Sequence, residues 1–298
     1  MDTLNDLTFF SGLMRAGSMA RLAQEIGVTP STVTKRLAAL EQRLGARLIQ
    51  RTTRRMSLTQ EGELFLREAE RIQRDIVVLE QAIAGSTAQP KGLLRVHATL
   101  GFGRQHLAPA IVRFQTQHPE VSVQLTLSDS AINMVGDGFD VAVHIGALPD
   151  ARVSMRRLVP NRRVLCASPA YLAAHPAPLK PADLASHQCI VIRQSDETYG
   201  SWTLTTNGRH DTIKVGGDLS TNDGEVALGW ALVGRGILLR STWSAAAYFQ
   251  SGTLVPVLPR WAAPDADIVA LYPTKQHLPA KTRAFVDFLV THFADRAF

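Results

Sequence analysis

The sequence contains few of the features that mark secreted, membrane-bound or disulfide-stabilised proteins. Its only cysteines are Cys166 and Cys189. Both lie among apolar strand-forming residues, so we expect buried, inert thiols rather than redox-active or metal-binding ones. No stretch approaches the length of a membrane span, and the segment around Asp2 and Asp6 has no apolar run followed by a cleavage site. These absences predict a cytoplasmic protein.

Familiar catalytic motifs are also missing. The chain contains no HExxH, CxxC or GxSxG pattern and no glycine-rich phosphate loop. Its central histidines lie on separate predicted strands and helices without metal-ligand spacing, and most are expected to be surface or capping residues. We therefore predict that the protein is not an enzyme and holds neither a cofactor nor a metal. These histidines are His97, His106, His118 and His144.

Positive charge is in excess, and it is concentrated near the N-terminus. The net charge of +6 favours an acidic partner. Between residues 35 and 55, Glu41 is the single acid. A basic segment of this kind is typical of a surface that binds a polyanion. Its bases are Lys35, Arg36, Arg43, Arg47, Arg51, Arg54 and Arg55.

The basic segment overlaps a pair of predicted helices that meet at a tight turn. Ser18 is a suitable N-cap for the first helix, and Gly27 suits the left-handed position at its end. Thr29 and Pro30 are typical of a new helix start. Gly45 then ends the second helix, whose apolar face is Val33, Leu37, Leu40 and Leu44.

The other face of the second helix begins with small hydroxyls and cations, which suit entry into the DNA major groove. We interpret the pair as a helix-turn-helix whose second helix reads DNA. The alternative is an ordinary helical hairpin, which would show a similar turn. The residues expected to face DNA from this helix are Pro30, Ser31, Thr32, Thr34, Lys35 and Arg36.

Elements on both sides complete a small domain. Residues 4–16 are predicted to form a helix that ends at Gly17. Residues 46–58 are predicted to form a two-stranded wing. The helix should bury Leu4, Leu7, Phe10, Leu13 and Met14, and the tip of the wing should be Thr52, Thr53 and Arg54.

A long helix is predicted from Thr59 to about Ala84. About 24 residues at roughly 1.5 Å each give a rod of about 36 Å, longer than the small domain. We therefore favour a dimeric coiled coil, the alternative being a helix packed on its own domain. The range 85–92 then reads as a linker, so the expected domains are 1–59, 60–91 and 92–298. The apolar seam is Phe65, Ala69, Ile72, Ile76, Leu79 and Ile83.

After Gly92 the pattern changes to alternating strands and helices, which predicts an α/β domain with parallel sheets in two lobes. The predicted strands are 93–98, 121–127, 139–145, 163–167, 189–192, 213–216 and 268–272. The predicted helices are 105–117, 131–135, 223–233, 242–250 and 281–293.

Polar residues follow several of these strands, where a ligand between two lobes would bind. Thr99, Ser128 and Asn222 carry short polar groups suited to a carboxylate, although they would serve equally as helix N-caps. Arg193 is a candidate cation for such a ligand, or else a solvated strand-end residue. The complete candidate set is Thr99, Leu100, Ser128, Asp129, His144, Arg193 and Asn222.

Residues 7–62 resemble the DNA-binding domain of LysR-type transcriptional regulators. The resemblance rests on the serine-containing turn, the Leu40-Glu41 pair, the Leu-Gly before Ala46 and the closing Leu-Thr-x-x-Gly. Met19 stands where the family mostly has phenylalanine, and the segment 48–51 reads Leu-Ile-Gln-Arg rather than Leu-Phe-Glu-Arg. The resemblance implies a winged helix-turn-helix, with the reading helix on DNA and with Arg51 and Arg54 on phosphates.

The remainder resembles the family's two-lobed, periplasmic-binding-protein-like effector domain. The matching segments are 119–121, 138–143, 167–172 and 234–237. His144 departs from an arginine often found there, and a histidine would make binding depend on pH. The tract 195–202 resembles one in regulators of malate and tartrate metabolism. The partners implied are operator DNA, a small organic acid, a homodimer or homotetramer, and RNA polymerase.

The predicted function is therefore sequence-specific transcriptional regulation controlled by a small organic acid bound between two lobes. Two alternatives place the lobes or the DNA module in another role. One is a solute-binding or sensor protein, against which an entire DNA-reading module stands. The other is an architectural DNA binder, which would leave the C-terminal two-thirds of the chain without a purpose.

Overall fold

A computed structural model describes the chain as two units, Met1–Ala88 and Gln89–Phe298. The residues whose structure it describes are 3–52, 55–83, 89–129, 134, 136–146, 153–193, 200–274 and 278–294. Across these ranges, no helix has the length and apolar character needed to cross a lipid bilayer.

The first unit consists of short helices, a wing and a long helix. Ser18 Oγ accepts a hydrogen bond from the Arg21 amide at 3.1 Å, and Thr29 Oγ1 accepts one from the Thr32 amide at 3.2 Å. Gly45 ends the third helix in the left-handed region, at φ 67°. The predicted caps are confirmed. The elements are α1 (Thr3–Ala16), α2 (Met19–Glu25), α3 (Pro30–Leu44), β1 (Ile49–Thr52), β2 (Arg55–Leu58) and α4 (Gln60–Ile83).

The core of this unit is formed by one face of each short helix. Phe10, Leu13 and Leu37 are fully buried, and each such side chain stabilises the fold by roughly 1.5–3 kcal/mol. The prediction that Leu4 and Leu44 are buried is wrong, because they are 50% and 39% exposed. Both lie at the outer end of a helix, where no neighbouring element covers them.

The predicted wing is confirmed as an antiparallel pair of strands. Glu41, the single acid of the basic segment, accepts a hydrogen bond from the Leu48 amide at 2.8 Å and so fixes the entry to the wing. A Cβ atom at Gly62 would lie 2.0 Å from the Leu48 carbonyl oxygen. Only glycine therefore lets α4 begin against this strand. The predicted tip residues Thr53 and Arg54 lie outside the described residues.

The long helix α4 begins where Thr59 caps it, with Thr59 Oγ1 accepting from the Gly62 amide at 3.0 Å. Phe65 meets Phe10 edge to face at 5.2 Å between ring centroids, and Ala69 is fully buried. The first part of the predicted seam therefore packs on its own unit. Further along, Ile72 and Ile76 are half-buried and Leu79 is 60% exposed, whereas the side chain of Ile83 lies outside the description.

The second unit contains two five-stranded sheets and a separate hairpin. The first sheet has the order β4-β3-β5-β14-β6, and the second has the order β11-β8-β12-β7-β13. The strands are β3 (Gly92–Ala98), β4 (Val121–Leu127), β5 (Val141–Ile145), β6 (Val153–Val159), β7 (Arg163–Ala167), β8 (Cys189–Ile192), β9 (Ser201–Thr206), β10 (Arg209–Lys214), β11 (Ser220–Thr221), β12 (Ile237–Ser241), β13 (Val255–Pro256) and β14 (Ile268–Pro273).

The prediction of parallel sheets is only half right. Strands β3, β4 and β5 are parallel to one another, but β14 is antiparallel to β5 and to β6. In the second sheet β8, β11 and β12 are parallel, whereas β7 is antiparallel to β12 and to β13. A parallel neighbour needs a crossover connection across its own sheet. Strands β14 and β7 instead arrive from the other lobe, and this reverses their direction.

Helices follow the parallel strands, as the sequence predicts. The predicted helix 105–117 begins within a π-helical turn, Gly103–Leu107, and continues as an α-helix, Ala108–Gln117. The predicted strand 213–216 ends at 214 and belongs to the hairpin of β9 and β10. The predicted helix 131–135 lies mostly outside the described residues, as does the first half of the predicted linker 85–92. The helices are α5 (Leu100–Phe102), the π-helical turn Gly103–Leu107, α6 (Ala108–Gln117), α7 (Pro169–Ala174), the 3-10 helix Pro181–Ser186, α8 (Gly224–Leu232), α9 (Thr242–Gln250) and α10 (Ala280–Phe293).

The chain passes between the lobes near Asn161 and again near Ala266. Asn161 Nδ2 donates to the Ala266 carbonyl at 2.7 Å and to Ser241 Oγ at 3.3 Å. The Asn161 amide donates to Asp267 Oδ1 at 3.1 Å. These bonds hold the two crossing segments together, so this junction forms the hinge side of the two lobes.

Both cysteines are buried on strands of the second sheet, as predicted. Cys166 on β7 and Cys189 on β8 are 0% and 1% exposed. Burial raises the pKa of each thiol to about 12. A neutral, buried thiol is a poor nucleophile and behaves as a small apolar side chain.

Candidate DNA interface and effector cleft

The first turns of α3 form an exposed surface. Pro30, Ser31, Thr32 and Lys35 are all exposed. Val33 on the same part of the helix is buried in the core, so these four residues lie on the opposite, outward face. These residues can approach base edges or phosphates without rearrangement of the helix.

Two predicted DNA-facing residues are instead engaged within the first unit. Arg36 Nη2 donates to the Asn5 carbonyl at 2.8 Å, and its guanidinium lies 4.6 Å from the ring centroid of Phe9. Thr34 Oγ1 donates to the Pro30 carbonyl at 3.0 Å. The Arg36 bond ties α3 to α1, whereas the Thr34 bond lies within α3 itself.

An acid that the sequence pattern does not place in this region also lies beside the basic segment. Asp6 on α1 is 8% exposed and pairs with Arg43 at 2.9 Å and with Arg36 at 3.7 Å. These two ion pairs neutralise part of the positive charge of the basic segment. Lys35 on α3 and Arg47 just before the wing remain exposed. The side chains of Arg51 and Arg54 are outside the described residues.

In the second unit, the carboxyl ends of the first sheet bring several candidate residues to one edge. Ala98 and Leu127 are paired in register on neighbouring parallel strands, so Thr99 and Ser128 follow side by side. The Ser128 amide donates to the Ala98 carbonyl at 3.2 Å. Leu100 and Asp129 come directly afterwards, and both are half-buried.

The capping alternative fails for Thr99 and is untested for Ser128, because most of the predicted helix 131–135 lies outside the described residues. Thr99 precedes α5, but its side chain makes no capping hydrogen bond to the described backbone. Ser128 Oγ lies 2.9 Å from Nε2 of His97, which is 3% exposed. The expectation that most of the four histidines are surface or capping residues does not hold for His97, because β3 lies between β4 and β5 and its neighbours Val96 and Ala98 are also buried.

His144 lies on β5 opposite Val269 of β14 and is half-buried. It is therefore within the strand rather than beyond its end. It shares a sheet face with His97, since His97 is paired with Ala142, two residues before His144.

The carboxyl ends of the second sheet hold the remaining candidates. Arg193 is exposed, and its amide donates to the Thr221 carbonyl at 2.7 Å. Asn222 follows Thr221 and is exposed. Asp223, not Asn222, caps α8, with its Oδ1 accepting from the Glu225 amide at 2.7 Å. The predicted capping role of Asn222 thus belongs to the next residue.

Side-chain bonds join the two lobes beside these strand ends. Arg104 in the π-helical turn donates to Asp223 Oδ2 at 3.0 Å, and Gln105 Nε2 donates to Glu225 Oε2 at 3.1 Å. Burial raises the pKa of Asp223, whereas the hydrogen bonds from the Glu225 amide and from Arg104 lower it. The lowering effects are larger together, so the net shift of this pKa is downward. Asp223 is therefore held ionised as the partner of Arg104.

A buried ion pair underlies this junction. The Arg240 guanidinium is 8% exposed and donates to Glu225 Oε1 at 2.5 Å, and its Nε donates to Ser244 Oγ at 3.0 Å. A Cβ at Gly224 would lie 1.9 Å from Arg240, and one at Gly101 would lie 3.2 Å from Glu225 Oε1. Glycine at 224 makes room for Arg240 within the second lobe, and glycine at 101 makes room for Glu225 and Trp243. The acids at the start of a predicted helix were the sequence signal for this cluster.

The architecture defines a class of protein: a winged helix-turn-helix unit joined to a two-lobed unit with polar strand ends between its lobes. Comparisons with known proteins agree. Residues 4–63 match the model of the bacterial regulatory helix-turn-helix protein, LysR family, and residues 87–294 match that of the LysR substrate binding domain.

Relatives of similar length have the same arrangement. The chain is 38% identical to the HTH-type transcriptional regulator DmlR of Escherichia coli (strain K12), over 98% of this chain and 95% of the relative. It is 36% identical to the HTH-type transcriptional activator TtdR of the same strain, over 95% and 91%. The full-length structure of the Vibrio cholerae virulence activator AphB covers 98% of this chain and 100% of its own, with 26% identity and a TM-score of 0.64.

The chain belongs to the LysR family of transcriptional regulators. It is therefore a DNA-binding regulator with a ligand-binding domain, and it is not an enzyme.

Proposed function

We propose that this regulator is controlled by a small hydroxy-dicarboxylate that binds between the lobes of its second unit and changes how its first unit binds operator DNA. The observation that carries the proposal is the pair of hydroxyl groups at adjacent strand ends. Thr99 does not use its hydroxyl as a cap within the described backbone, and Ser128 lies beside it. Hydroxyls so placed are suitable donors to a carboxylate.

A cation and an amide on the second lobe support an acidic ligand. Arg193 and Asn222 are exposed and follow neighbouring strands. Asn222 directly precedes Asp223. Asp223 accepts a hydrogen bond from Arg104, which lies in the segment that follows Thr99. A dicarboxylate bridging the lobes would thus meet hydroxyls on one side and a guanidinium or amide on the other.

Ligand control follows from how the lobes are held. Bonds of Asn161 tie together the two segments that cross between the lobes, and the Arg104 and Gln105 bonds join the lobes beside their strand ends. A ligand that binds the closed arrangement more tightly than an open one shifts the population toward closure. Closure would then alter how protomers, and their reading helices, are arranged.

The DNA-binding role is assigned to the exposed end of α3 and to the wing. Ser31 and Lys35 would contact bases, and Arg51 and Arg54 would contact phosphates. Replacing Lys35 should therefore reduce operator binding more than binding to random DNA, whereas replacing Arg51 should weaken both and flatten the salt dependence.

The assembly that places two reading helices on a palindromic operator is proposed to be a dimer through the later part of α4. Leu79 is 60% exposed there, and an exposed leucine on a long helix suits a coiled-coil seam. We further propose a homotetramer, RNA polymerase as a partner at the promoter, and the cytoplasm as the compartment. The domain limits that go with this arrangement are 1–59, 60–91 and 92–298.

Calorimetric titration of the full chain with malate, tartrate and succinate tests the ligand class. Saturable heat with the hydroxy acids is expected, with binding about tenfold weaker in Thr99→Val and in Ser128→Ala. The matched control is Thr116→Val, whose hydroxyl donates to the Val112 carbonyl on the exposed face of α6. No heat with any small carboxylate would remove the proposed ligand class.

A further inference from the structure

The Ser128 hydroxyl is held by a buried histidine rather than by the backbone alone. His97 Nε2 and Ser128 Oγ are 2.9 Å apart. His97 is 3% exposed, and its ring lies 5.1 Å from the ring centroid of Phe139. Its position on β3 fixes the ring with respect to the strand end that carries Ser128.

The hydrogen atoms in this pair follow from the other ring nitrogen. His97 Nδ1 is buried and has no hydrogen-bond partner among the described residues. A neutral imidazole has one N–H and one bare nitrogen. Burying an unpaired N–H is the costlier arrangement, because orphaned donors are rarer than under-used acceptors in protein interiors. The proton therefore belongs on Nε2.

The ring is also neutral. Burial lowers the pKa of His97, and the opposing effect of Asp137 is smaller. A neutral ring with its proton on Nε2 donates to Ser128 Oγ. The Ser128 oxygen then uses one of its two lone pairs to accept from His97, and its hydrogen is left to donate elsewhere.

We infer that His97 is a positioning residue that commits the Ser128 hydroxyl to act as a hydrogen-bond donor toward the strand-end cleft, so that the site selects ligands presenting an acceptor such as a carboxylate. The inference rests on the proposed function, since it concerns the same ligand site. It adds a residue outside the predicted set and a chemical reason for selecting an acid over an amine or amide donor.

Two substitutions of His97 separate this role from simple packing. His97→Gln keeps an N–H near the position of Nε2, whereas His97→Leu keeps the volume and removes the donor. With malate as the probe, the full-length His97→Leu protein is expected to bind several-fold more weakly, and His97→Gln to stay within about threefold of wild type. Ser128→Ala should lose about tenfold, and adding His97→Leu to it should cost nothing more.

The matched control is His118→Leu, the same substitution at the C-cap of α6. His118 precedes the amino end of β4, whereas Ser128 follows its carboxyl end. Its malate affinity should equal that of wild type. If His97 only filled space, Leu would serve as well as Gln. If Ser128 donated to His97 instead, His97→Leu would free the hydroxyl, and malate affinity would stay unchanged or rise. Either result overturns the inference.

A measurement without ligand tests the same point independently of the proposed function. Full-length protein labelled with 15N-histidine is examined by solid-state NMR, and the His97 signals are assigned by their loss in His97→Gln. A neutral ring protonated at Nε2 is expected. A ring protonated at Nδ1, or at both nitrogens, at neutral pH overturns the inference. If no acid binds to wild type while Nε2 carries the proton, the proposed ligand class fails and the orientation of Ser128 stands.

Discussion

Removing the carboxylate of Glu225 should destabilise the second unit strongly. Its partner Arg240 is 8% exposed, with its guanidinium 2.5 Å from Glu225 Oε1. Removing one member of a buried ion pair costs about 3–5 kcal/mol, because the other charge stays buried without compensation. Asp223 also attracts Arg240, so Glu225→Leu should lie near the lower end, about 3 kcal/mol.

The sequence offers a convenient assay for this prediction. All the tryptophans, Trp202, Trp230, Trp243 and Trp261, lie in the second unit. Tryptophan fluorescence during urea unfolding therefore reports on that unit alone. The midpoint for Glu225→Leu should fall well below that of wild type, with Glu225→Gln between the two because it keeps an acceptor for Arg240.

A double variant separates the charge from the shape of the site. Arg240→Met combined with Glu225→Leu removes both charges and should recover stability to within about 1 kcal/mol of wild type. A loss below about 1 kcal/mol for Glu225→Leu alone would refute the reasoning, since it would mean that Arg240 is hydrated rather than buried.

Three further perturbations test other parts of the account. In Gly62→Ala the added Cβ would lie 2.0 Å from a backbone oxygen, so the melting temperature of the first unit, followed by circular dichroism, should fall. In the control Gly12→Ala the nearest atom is 3.5 Å from the added Cβ within a helix, so the melting temperature should stay equal or rise. Equal effects of the two substitutions would contradict the packing argument. Because the pKa of Asp223 is lowered in the folded state, its carboxylate stabilises the second unit at pH values above the ordinary pKa of 3.8, and this contribution is lost as the pH falls below 3.8. Asp223→Asn should therefore flatten the acid dependence of the unfolding transition followed by tryptophan fluorescence. An unchanged profile would count against the ion pair with Arg104. Cys166 and Cys189, with thiol pKa values near 12, should resist maleimide labelling at pH 8 until urea is added, and fast labelling of the folded protein would show that one of them is accessible.

Local signals explain why the first unit was largely predictable. Helix caps act within a few residues, so Ser18, Thr29 and Gly45 marked the helix ends correctly. Burial at helix ends depends on neighbouring elements, which periodicity does not describe. Leu4 and Leu44 were therefore assigned to the core wrongly.

The side-chain partners of the basic segment were less predictable. Arg36 looked like a DNA contact from its face of the helix, but its partners Asn5 and Asp6 come from α1, about thirty residues earlier. Glu41 stood out as the single acid, yet its role in holding the Leu48 amide required the wing to be in place. Contacts distant in sequence are not encoded in local pattern.

In the second unit, strand ends were predicted better than strand directions. Strands 121–127, 163–167 and 189–192 match the structure. The antiparallel directions of β7 and β14 come from the crossings between lobes, which alternation of elements does not reveal. The ion pair of Arg240 and Glu225 joins β12 to α8 across 15 residues, which periodicity within one element does not reveal.

The central claim is that an organic acid bound in the second unit changes operator binding by the first. The most direct measurement is a gel-shift titration of the full chain on its own upstream intergenic DNA and on scrambled DNA, at several salt concentrations, with and without malate or tartrate. We expect tighter binding to the upstream fragment, a midpoint shifted by a hydroxy acid in wild type, and a shift that needs about tenfold more acid in Ser128→Ala. Equal and steeply salt-dependent binding to both DNAs, unaffected by any acid, would contradict it.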